Sequence, residues 1–366
     1  MKKIRVAIIF GGRSAEHEVS IQSAKNVYNS LDKDKYEPIL IGIDKQGRWL
    51  LNQPAQLLLT ASNPKLAKLN KSSQEVSLIQ KDRSTKLIRV TDHQNVGSID
   101  VVFPVLHGPF GEDGTIQGML KLLNIPFVGP SVLGSALGMD KDAMKRLLNH
   151  AGIPTAKFLV FRKGDKFKFE DVKRGMGLPF FVKPANLGSS VGISKVKNAK
   201  EFKKAVEYAF EFDSKILIEE YIKGREIECS ILGNENPIAS IPGEVIPTHE
   251  FYSYEAKYID ENGAQLIIPA KLPKRTVKKV QDLAIKTFKT LYCEGMARVD
   301  FFLKNNGEVV VNELNTIPGF TQISMYPKLW EASGISYPQL VDRLIQLALE
   351  RFKRESKLKT SYQDFV

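Results

Sequence analysis

The sequence predicts an α/β protein, and three features of its N-terminal part support this fold class. Residues 4–10 form an almost continuous apolar run, which is typical of a parallel strand buried on both faces. Gly11 and Gly12 follow this run and lead into a segment with apolar residues at helical spacing, so the local order is strand, loop, helix. Further strands are predicted at 37–43 and 99–105, which together indicate a small open α/β domain.

The remainder of the chain is long enough for further domains. Its 366 residues allow two or three, and 43% hydrophobic with 26% charged residues is an ordinary globular composition. Residues 52–95 are polar with weak periodicity, and we expect them to be peripheral. Residues 242–270 have little helical period and are predicted to form a lid or binding loop. Residues 336–354 predict an amphipathic helix.

Charge and cysteine content limit the partners and the compartment. The chain carries 53 Lys and Arg against 41 Asp and Glu, a net charge of +12 that would suit nucleic acid, an anionic membrane or a small polyanion. Because no Arg-rich or mixed aromatic and basic tract occurs, we expect neither a nucleic-acid nor a membrane partner. Cys229 and Cys293 suit a reducing compartment, and no apolar run is long enough for a signal peptide or a membrane span, so a cytoplasmic protein is expected.

The segment 295–319 carries the strongest local signal. Two runs rich in Val and Phe flank Asn305-Asn306-Gly307, and an Asn-Gly pair between such runs predicts a β-hairpin. If Asn306 and Gly307 form a two-residue type I′ loop, Asn305 pairs with Glu308. The same register then pairs Phe302 with Val311.

This register gathers four polar side chains on one face of the hairpin. Asp300 lies opposite Glu313 and Arg298 lies opposite Asn315, and directly opposed residues share a face. Two carboxylates and an amide oxygen suit Mg²⁺, and the guanidinium would hold negative charge that develops in a reaction. The alternative is an exposed hairpin with a cross-strand salt-bridge cluster, which the apolar pair on the same face disfavours.

Two glycine-rich loops are further candidates for a site. The loop 106–115 follows a predicted strand at the end where α/β domains bind ligands, and its His107 could orient a site residue or be an ordinary polar loop residue. The predicted strand 180–184 leads into Gly188–Gly192, whose small residues would let backbone amides approach phosphates. This loop is no P-loop, and a plain hairpin turn is the alternative.

Seven motifs in order make the chain resemble a known family nearly from end to end. They are Gly11–Glu16, His107–Gly114, Met139–Lys141, Val182–Pro184 with Gly188–Gly192, Tyr254–Tyr258, Arg298–Asp300, and Asn312–Thr316 followed by Pro318-Gly319. With these motifs the chain resembles the D-alanine:D-alanine ligases of the ATP-grasp superfamily. The polar stretch 52–95 departs from the pattern and leaves only the shape of the first domain open.

The resemblance implies both an architecture and a reaction. We expect an ATP-grasp fold with an N-terminal open α/β domain at 1–138, a central subdomain at 139–230, and a C-terminal subdomain at 231–366 that carries the lid and the metal site. ATP would phosphorylate the carboxylate of one D-alanine, and the amine of a second D-alanine would attack the acyl phosphate to give D-alanyl-D-alanine for peptidoglycan precursors. Family members are commonly dimers, so a homodimer is expected.

Individual roles are also carried over by resemblance. Two Mg²⁺ ions, which Mn²⁺ could replace, would bind Asp300, Glu313 and Asn315. The nucleotide contacts would come from Lys141, Lys183 and Ser190 at the phosphates, Glu219, Glu220 and Ile222 near the adenine, Glu226 at the ribose, and Tyr252 and Lys257 from the lid.

The remaining implied roles concern the amino acids. Glu16 would bind the ammonium of the first D-alanine, and Ser189 and Tyr258 would link to Glu16 and guide deprotonation of the second amine. Arg298 would face the developing negative charge, and Ser324 would bind the carboxylate of the second D-alanine.

Three alternatives stay open at this point. A sister ligase could use D-lactate or D-serine as its second substrate. In ligases that use D-lactate, the position matching Tyr258 resembles a histidine, so the tyrosine here favours an amine as the nucleophile. A polyanion-binding module would explain the charge of +12, but Asp300 and Glu313 would repel phosphates unless a metal intervened. A nicotinamide oxidoreductase depends on Gly11 and Gly12 alone, without the third glycine of the dinucleotide fingerprint.

Overall fold

The computed structural model describes residues 2–53, 74–81, 84–247 and 264–359, and three sheets organise this part of the chain. The strands of the first sheet are β1 (Ile4–Gly11), β2 (Tyr36–Ile43), β3 (Trp49–Asn52), β4 (Gln74–Lys81), β5 (Ser84–Arg89), β6 (Asn95–Ile99) and β7 (Val101–Val105). Their order is β6-β5-β4-β3-β2-β1-β7, with β1 parallel to both β2 and β7. The three predicted N-terminal strands are therefore confirmed, although the third one begins at Val101.

The polar stretch 52–95 contains more regular structure than its weak periodicity predicts. Strands β4, β5 and β6 continue the first sheet at the edge away from β1, so the stretch is peripheral but pairs with the sheet. Alternation is present but short, since Val76 and Leu78 are buried on either side of the exposed Ser77 in β4. Residues 54–73 lie outside the described part.

Four helices precede the second sheet in the chain, the first of them between β1 and β2. These helices are α1 (His17–Ser30), α2 (Thr115–Leu122), α3 (Val132–Met139) and α4 (Lys141–His150). The sheet contains β8 (Phe158–Arg162), β9 (Phe180–Pro184), β10 (Ser194–Val196) and β11 (Lys215–Glu220), all antiparallel in the order β10-β9-β11-β8. The helices α5 (Phe169–Met176) and α6 (Ala199–Ala209) accompany this sheet, and Phe180 and Phe202 meet edge to face in its core.

The third sheet contains the predicted hairpin. Its strands are β12 (Gly224–Gly233), β13 (Ile238–Ala239), β14 (Gly243–Pro247), β15 (Ala264–Ile267), β16 (Gly295–Lys304) and β17 (Val309–Asn315). They follow the order β15-β14-β12-β16-β17, with β13 on β12. Part of the predicted loop 242–270 is thus two paired strands, and residues 248–263 between them lie outside the described part.

Three helices complete the chain, namely α7 (Lys274–Thr290), α8 (Met325–Ala332) and α9 (Tyr337–Glu355). Helix α9 confirms the predicted amphipathic helix and begins with a capping box of Ser336 and Gln339. Its buried Leu344 shares a core with Phe103 of β7 and Trp330 of α8, so the C-terminal helices pack against the first sheet. The predicted limits 1–138, 139–230 and 231–366 stay predictions; β12 extends across the last of them.

The hairpin has the predicted pairs at the site but not at its turn. Lys304 and Glu308 bracket a three-residue loop in which Gly307 has a φ of 81°, instead of the predicted two-residue loop. The predicted pairing of Phe302 with Val311 is wrong, because Phe302 pairs with Val310.

A bulge restores the register before the polar residues. The pairing shifts between Asp300 and Phe301, which leaves Asn312 as the extra residue of β17. Beyond it, Asp300 pairs with Glu313 and Arg298 with Asn315, as predicted. The loop has one residue more than predicted, which shifts the pairing by one position, and the extra residue of the bulge shifts it back.

Two glycine substitutions test this turn. A Cβ at Gly307 or at Gly118 in α2 would have no atom within 4 Å, so backbone conformation alone decides the effect. Gly307→Ala should lower the free energy of unfolding by about 1 kcal/mol because of its positive φ, whereas Gly118→Ala should raise it by roughly 0.5–1 kcal/mol within a helix. Urea midpoints that shift in the same direction for both variants would contradict the assigned turn.

Candidate active site

A cleft of about 250 Å³ lies where the third sheet meets loops of the first and second sheets. The residues that line it come from β12, β14, β15, β16 and β17, from the loops after β1, β7 and β17, from the tip of the glycine-rich loop after β9, and from one residue each of α1 and α8. The charged ones are Glu16, Glu112, Glu226, Glu228, Arg298, Asp300 and Glu313. Six carboxylates thus surround one guanidinium, so the cleft is acidic although the chain is basic overall.

The polar face of the hairpin is held together by Arg298. Its Nε and Nη2 donate to the two oxygens of Asp300 at 2.7 Å each, and Nε also lies 2.8 Å from Oε2 of Glu228. Asn315 Nδ2 donates to Asp300 Oδ2 at 3.0 Å. Glu228 is directly opposite Asp300 on β12, so three neighbouring strands contribute to one face. This bidentate geometry fixes the guanidinium in the cleft.

Helix α4 brings a lysine to the same face. Its N-cap is Asp140, whose side chain accepts from the amides of Asp142 and Ala143 at 3.0 Å. Lys141, the first residue of the helix, lies with Nζ 3.7 Å from Oε2 of Glu313 and donates to the carbonyl of Leu187 at 2.6 Å. The ammonium therefore connects the hairpin to the glycine-rich loop.

The loop Gly188–Gly192 has a strained backbone and reaches the first domain. Ser189 and Ser190 have φ of 53° and 61°, in the left-handed region that non-glycine residues seldom adopt. The hydroxyl of Ser189 donates to Glu16 Oε1. A side chain at Gly108 would come within 2.8 Å of Glu16, so this approach requires a glycine.

A group of buried charges lies beside the cleft, between α4 and the second sheet. Glu219 of β11 forms ion pairs with Lys183 of β9 and with Lys145 of α4. Burial opposes ionisation of Glu219, but the two ammonium groups outweigh it and lower its pKa to about 2. Glu219 is therefore ionised at neutral pH.

Glu112 and His107 tie the loop after β7 to the loop after β17. Glu112 accepts from the amide of Gly108 at 2.7 Å and from that of Ile317 at 3.2 Å. Burial, and then the carboxylate of Glu16, raise the pKa of Glu112 to about 8. His107 contacts the Ile317 carbonyl at 3.0 Å, and burial lowers its pKa, so it is an uncharged link in the wall of the cleft.

Most of the predicted site residues that lie in the described part line this cleft. The cleft is lined by Glu16, Ser189, Glu226, Arg298, Asp300, Glu313, Asn315 and Ser324. Lys141 contacts Glu313 of the cleft, and Lys183 contacts Glu219 beside it. Glu220 accepts from the amide of Lys157 at 2.8 Å, and Ile222 is buried beside Ala156 and Val310. Tyr252, Lys257 and Tyr258 lie outside the described part.

Three residues of the site were not predicted. Glu228 could have been found, since acidic residues alternate with apolar ones in β12. Lys145 and Glu112 give no such signal, because their environment arises only when separate elements pack together. In the described part, no group of three His, Cys, Asp or Glu side chains is placed to hold a metal ion. The predicted metal ligands are a different kind of set, because only two of them are carboxylates and the third, Asn315, is an amide.

The architecture and the cleft define a class of protein before any comparison is made. Two antiparallel sheets follow an α/β domain, and an acidic cleft lies next to Lys141, which pairs with Glu313, and Lys183, which pairs with Glu219, as in an ATP-grasp enzyme. Residues 5–130 match the family "D-ala D-ala ligase N-terminus" and residues 147–346 match "D-ala D-ala ligase C-terminus". The chain belongs to the D-alanine–D-alanine ligase family, and the ATP-grasp fold predicted by resemblance is confirmed.

Individual relatives support the same assignment. The chain is 54% identical to D-alanine–D-alanine ligase of Oceanobacillus iheyensis and 56% identical to that of Shouchella clausii, over 100% of both chains in each case. The solved structure of the D-alanine-D-alanine ligase from Coxiella burnetii is similar with a TM-score of 0.87 and 42% identity, covering 98% of this chain and 97% of that one.

A second solved structure is a relative with a different stated substrate. VanG D-Ala:D-Ser ligase from Enterococcus faecalis has a TM-score of 0.84 at 36% identity, and the match covers 95% of this chain and 100% of that one. This identity is lower than those to the three D-alanine–D-alanine ligases named above. Within the described ranges, no helix has the length and apolar character needed to cross a membrane.

The raised pKa of Glu112 predicts a specific pH dependence of stability. Between about pH 4.5 and pH 8 the unfolded chain has released this proton while the folded protein retains it, so the folded state loses stability as the pH rises. Glu112→Gln should remove this contribution. Its urea midpoint should therefore fall less than that of the unmodified protein between about pH 5 and pH 8.

A second variant checks the cause of the shift. Glu16→Gln removes the neighbouring charge but leaves Glu112 in place, so it should flatten the same pH dependence only in part, since burial is the larger cause. Equal pH slopes for all three proteins would show that Glu112 titrates normally in the folded state.

Proposed function

We propose that the protein joins two molecules of D-alanine, with ATP converted to ADP and phosphate, to form D-alanyl-D-alanine for peptidoglycan precursors in the cytoplasm. The observation that carries this proposal is the cleft in which Arg298 and the carboxylates of Glu16, Asp300 and Glu313 face one another. We further propose that it acts as a homodimer, as the family resemblance implies.

The acidic cleft fits divalent cations. Asp300, Glu313 and Asn315 offer two carboxylates and an amide oxygen on one face, and these hard donors match the preferences of Mg²⁺ or Mn²⁺. The ionised carboxylates of the cleft would otherwise repel a nucleotide's phosphates. When bound, the metal supplies charge neutralisation at the phosphates and a fixed geometry for transfer. These three side chains are our proposed ligands.

The phosphates would lie between Lys141, Lys183 and the loop that contains Ser190. The two ammonium groups lie on neighbouring elements, and the loop backbone at Ser189 and Ser190 is already in a conformation that turns amides toward one side. Electrostatic preorganisation of this kind is a major source of rate enhancement in phosphoryl transfer.

The nucleoside would extend from there along β11 and β12. Glu219, Glu220 and Ile222 lie at the end of β11 and after it, where we propose that they border the adenine. Glu226 lines the cleft one strand further on, next to the position we propose for the ribose.

The amino acids would bind at the other end of the cleft. Glu16 would accept the ammonium of the first D-alanine, and Arg298 would hold the charge that develops at its carboxylate. Ser324, whose hydroxyl now contacts Thr321 at 2.8 Å, would bind the second carboxylate. Ser189 and Tyr258 would guide deprotonation of the second amine, and Tyr252 and Lys257 would help to exclude water from the acyl phosphate.

A product assay tests the reaction and the choice of second substrate. With ATP and Mg²⁺, D-alanine should stimulate ADP release and yield the dipeptide, and the products should be resolved by mass spectrometry. In competition, D-alanine should be incorporated in preference to D-lactate or D-serine, as the identities to D-alanine ligases favour. Saturating D-alanine and ATP without any dipeptide would count decisively against the proposal.

Glu313→Gln tests the metal set. The amide keeps the size of the side chain but removes a negative oxygen, so turnover should fall on the order of a hundredfold or more while the thermal midpoint changes little. Glu308→Gln makes the same change on the same hairpin, at a half-buried residue that pairs with Lys304, and should leave turnover unchanged. Full activity of Glu313→Gln across a magnesium titration would remove Glu313 from the metal site.

A further inference from the structure

Lys145 is a fully buried lysine with no role in the function proposed above. It lies one turn after Lys141 on α4, and its side chain is 1% exposed. In the described part its ammonium has no hydrogen-bonding partner besides Glu219, which is 2% exposed. A buried ammonium is costly unless it is paired, so the position requires an explanation.

Glu219 has two cationic partners, and they differ in their access to the cleft. Its Oε1 pairs with Lys145 and its Oε2 pairs with Lys183. Lys183 is 12% exposed and lies on β9, the strand that leads into the glycine-rich loop, diagonally across from Glu219 on the same face of the sheet. Only Lys183 can therefore turn toward a ligand in the cleft, whereas Lys145 is enclosed.

The positive charges next to the Glu219 carboxylate outnumber its single negative charge. Burial lowers the pKa of Lys145, and Lys183 lowers it further, while Glu219 and Glu313 raise it. Two ammonium groups thus share one carboxylate. Such an arrangement is unfavourable while both lysines stay, and it becomes a balanced one-to-one pair as soon as one of them leaves.

We propose that Lys145 is a positioning residue that keeps Glu219 paired when Lys183 turns to the phosphates of a nucleotide. This inference rests on the proposed function, because it requires a phosphate ligand at Lys183. Without Lys145, Lys183 could reach the phosphates only by leaving a buried carboxylate without a counterion, which is strongly unfavourable. Lys145 therefore supports phosphate binding without touching the nucleotide.

The test compares a ligand that needs Lys183 with one that does not. ADP carries phosphates and adenosine carries none, so the ratio of their affinities reports on the release of Lys183. Calorimetric titration of the full chain in Mg²⁺ should show that Lys145→Met lowers the affinity for ADP on the order of tenfold or more relative to the affinity for adenosine. An equal loss for both ligands would mean that Lys145 only supports the fold, and would overturn the proposal.

A second background separates this mechanism from loss of positive charge. In Glu219→Gln the carboxylate is gone, so adding Lys145→Met should leave the ratio of ADP to adenosine affinity unchanged within roughly threefold. If positive charge alone mattered, the double variant would bind ADP more weakly than Glu219→Gln does, which would overturn the proposal. This comparison also holds if Lys145→Met alone does not fold.

A charge-matched control lies on the same helix. Arg146 is 67% exposed and pairs with Asp142, so Arg146→Met removes one positive charge without touching Glu219 and should keep the ratio of the unmodified protein. If the unmodified protein binds no ADP, the proposed function itself fails. If it binds ADP and Lys145→Met keeps the same ratio, the function stands and the role of Lys145 is rejected.

Discussion

The site depends on the concentration of negative charge around a single guanidinium. Asp300 and Glu228 both contact Arg298, and the side chains of Glu16, Glu112, Glu226 and Glu313 line the same cleft. Like charges at such distances are tolerated only if cations arrive or protons stay bound. Burial, and then the carboxylate of Glu16, raise the pKa of Glu112, and the cleft is acidic in a chain with net charge +12. The arrangement therefore favours metal ions and a substrate ammonium over a bare polyanion.

Contacts between elements of all three sheets hold these charged side chains in place. Ser189 of the glycine-rich loop contacts Glu16 of the first domain, Lys141 contacts both that loop and the hairpin, and Glu112 accepts from the amide of Ile317. Each contact crosses between separate elements. Because these contacts join loops of the first and second sheets to the hairpin, the site and the relative placement of the sheets stabilise each other.

The sequence predicted those features that depend on local patterns and missed those that depend on packing. Strand β1 and helix α9 followed from hydrophobic periodicity, and the pairs of the hairpin followed from alternation. The turn was wrong because a three-residue loop and a two-residue loop have nearly the same composition, and the bulge at Asn312 has no sequence signature. The correct pairing of Asp300 with Glu313 therefore resulted from two offsets that cancel. Lys145 reads as an ordinary polar residue of an amphipathic helix until β11 brings Glu219 against it.

Some of the energetically costly features of the molecule lie at or beside the site. Ser189 and Ser190 occupy left-handed conformations at a cost of roughly 1–3 kcal/mol each, and Lys145, Lys183 and Glu219 bury charges that an apolar cluster would avoid. The surrounding cores are regular by comparison, with β1 and β7 almost entirely apolar and buried. A fold selected for stability alone would have no use for these features. At this cleft they hold charges and amides in fixed positions, which phosphoryl transfer to a carboxylate requires.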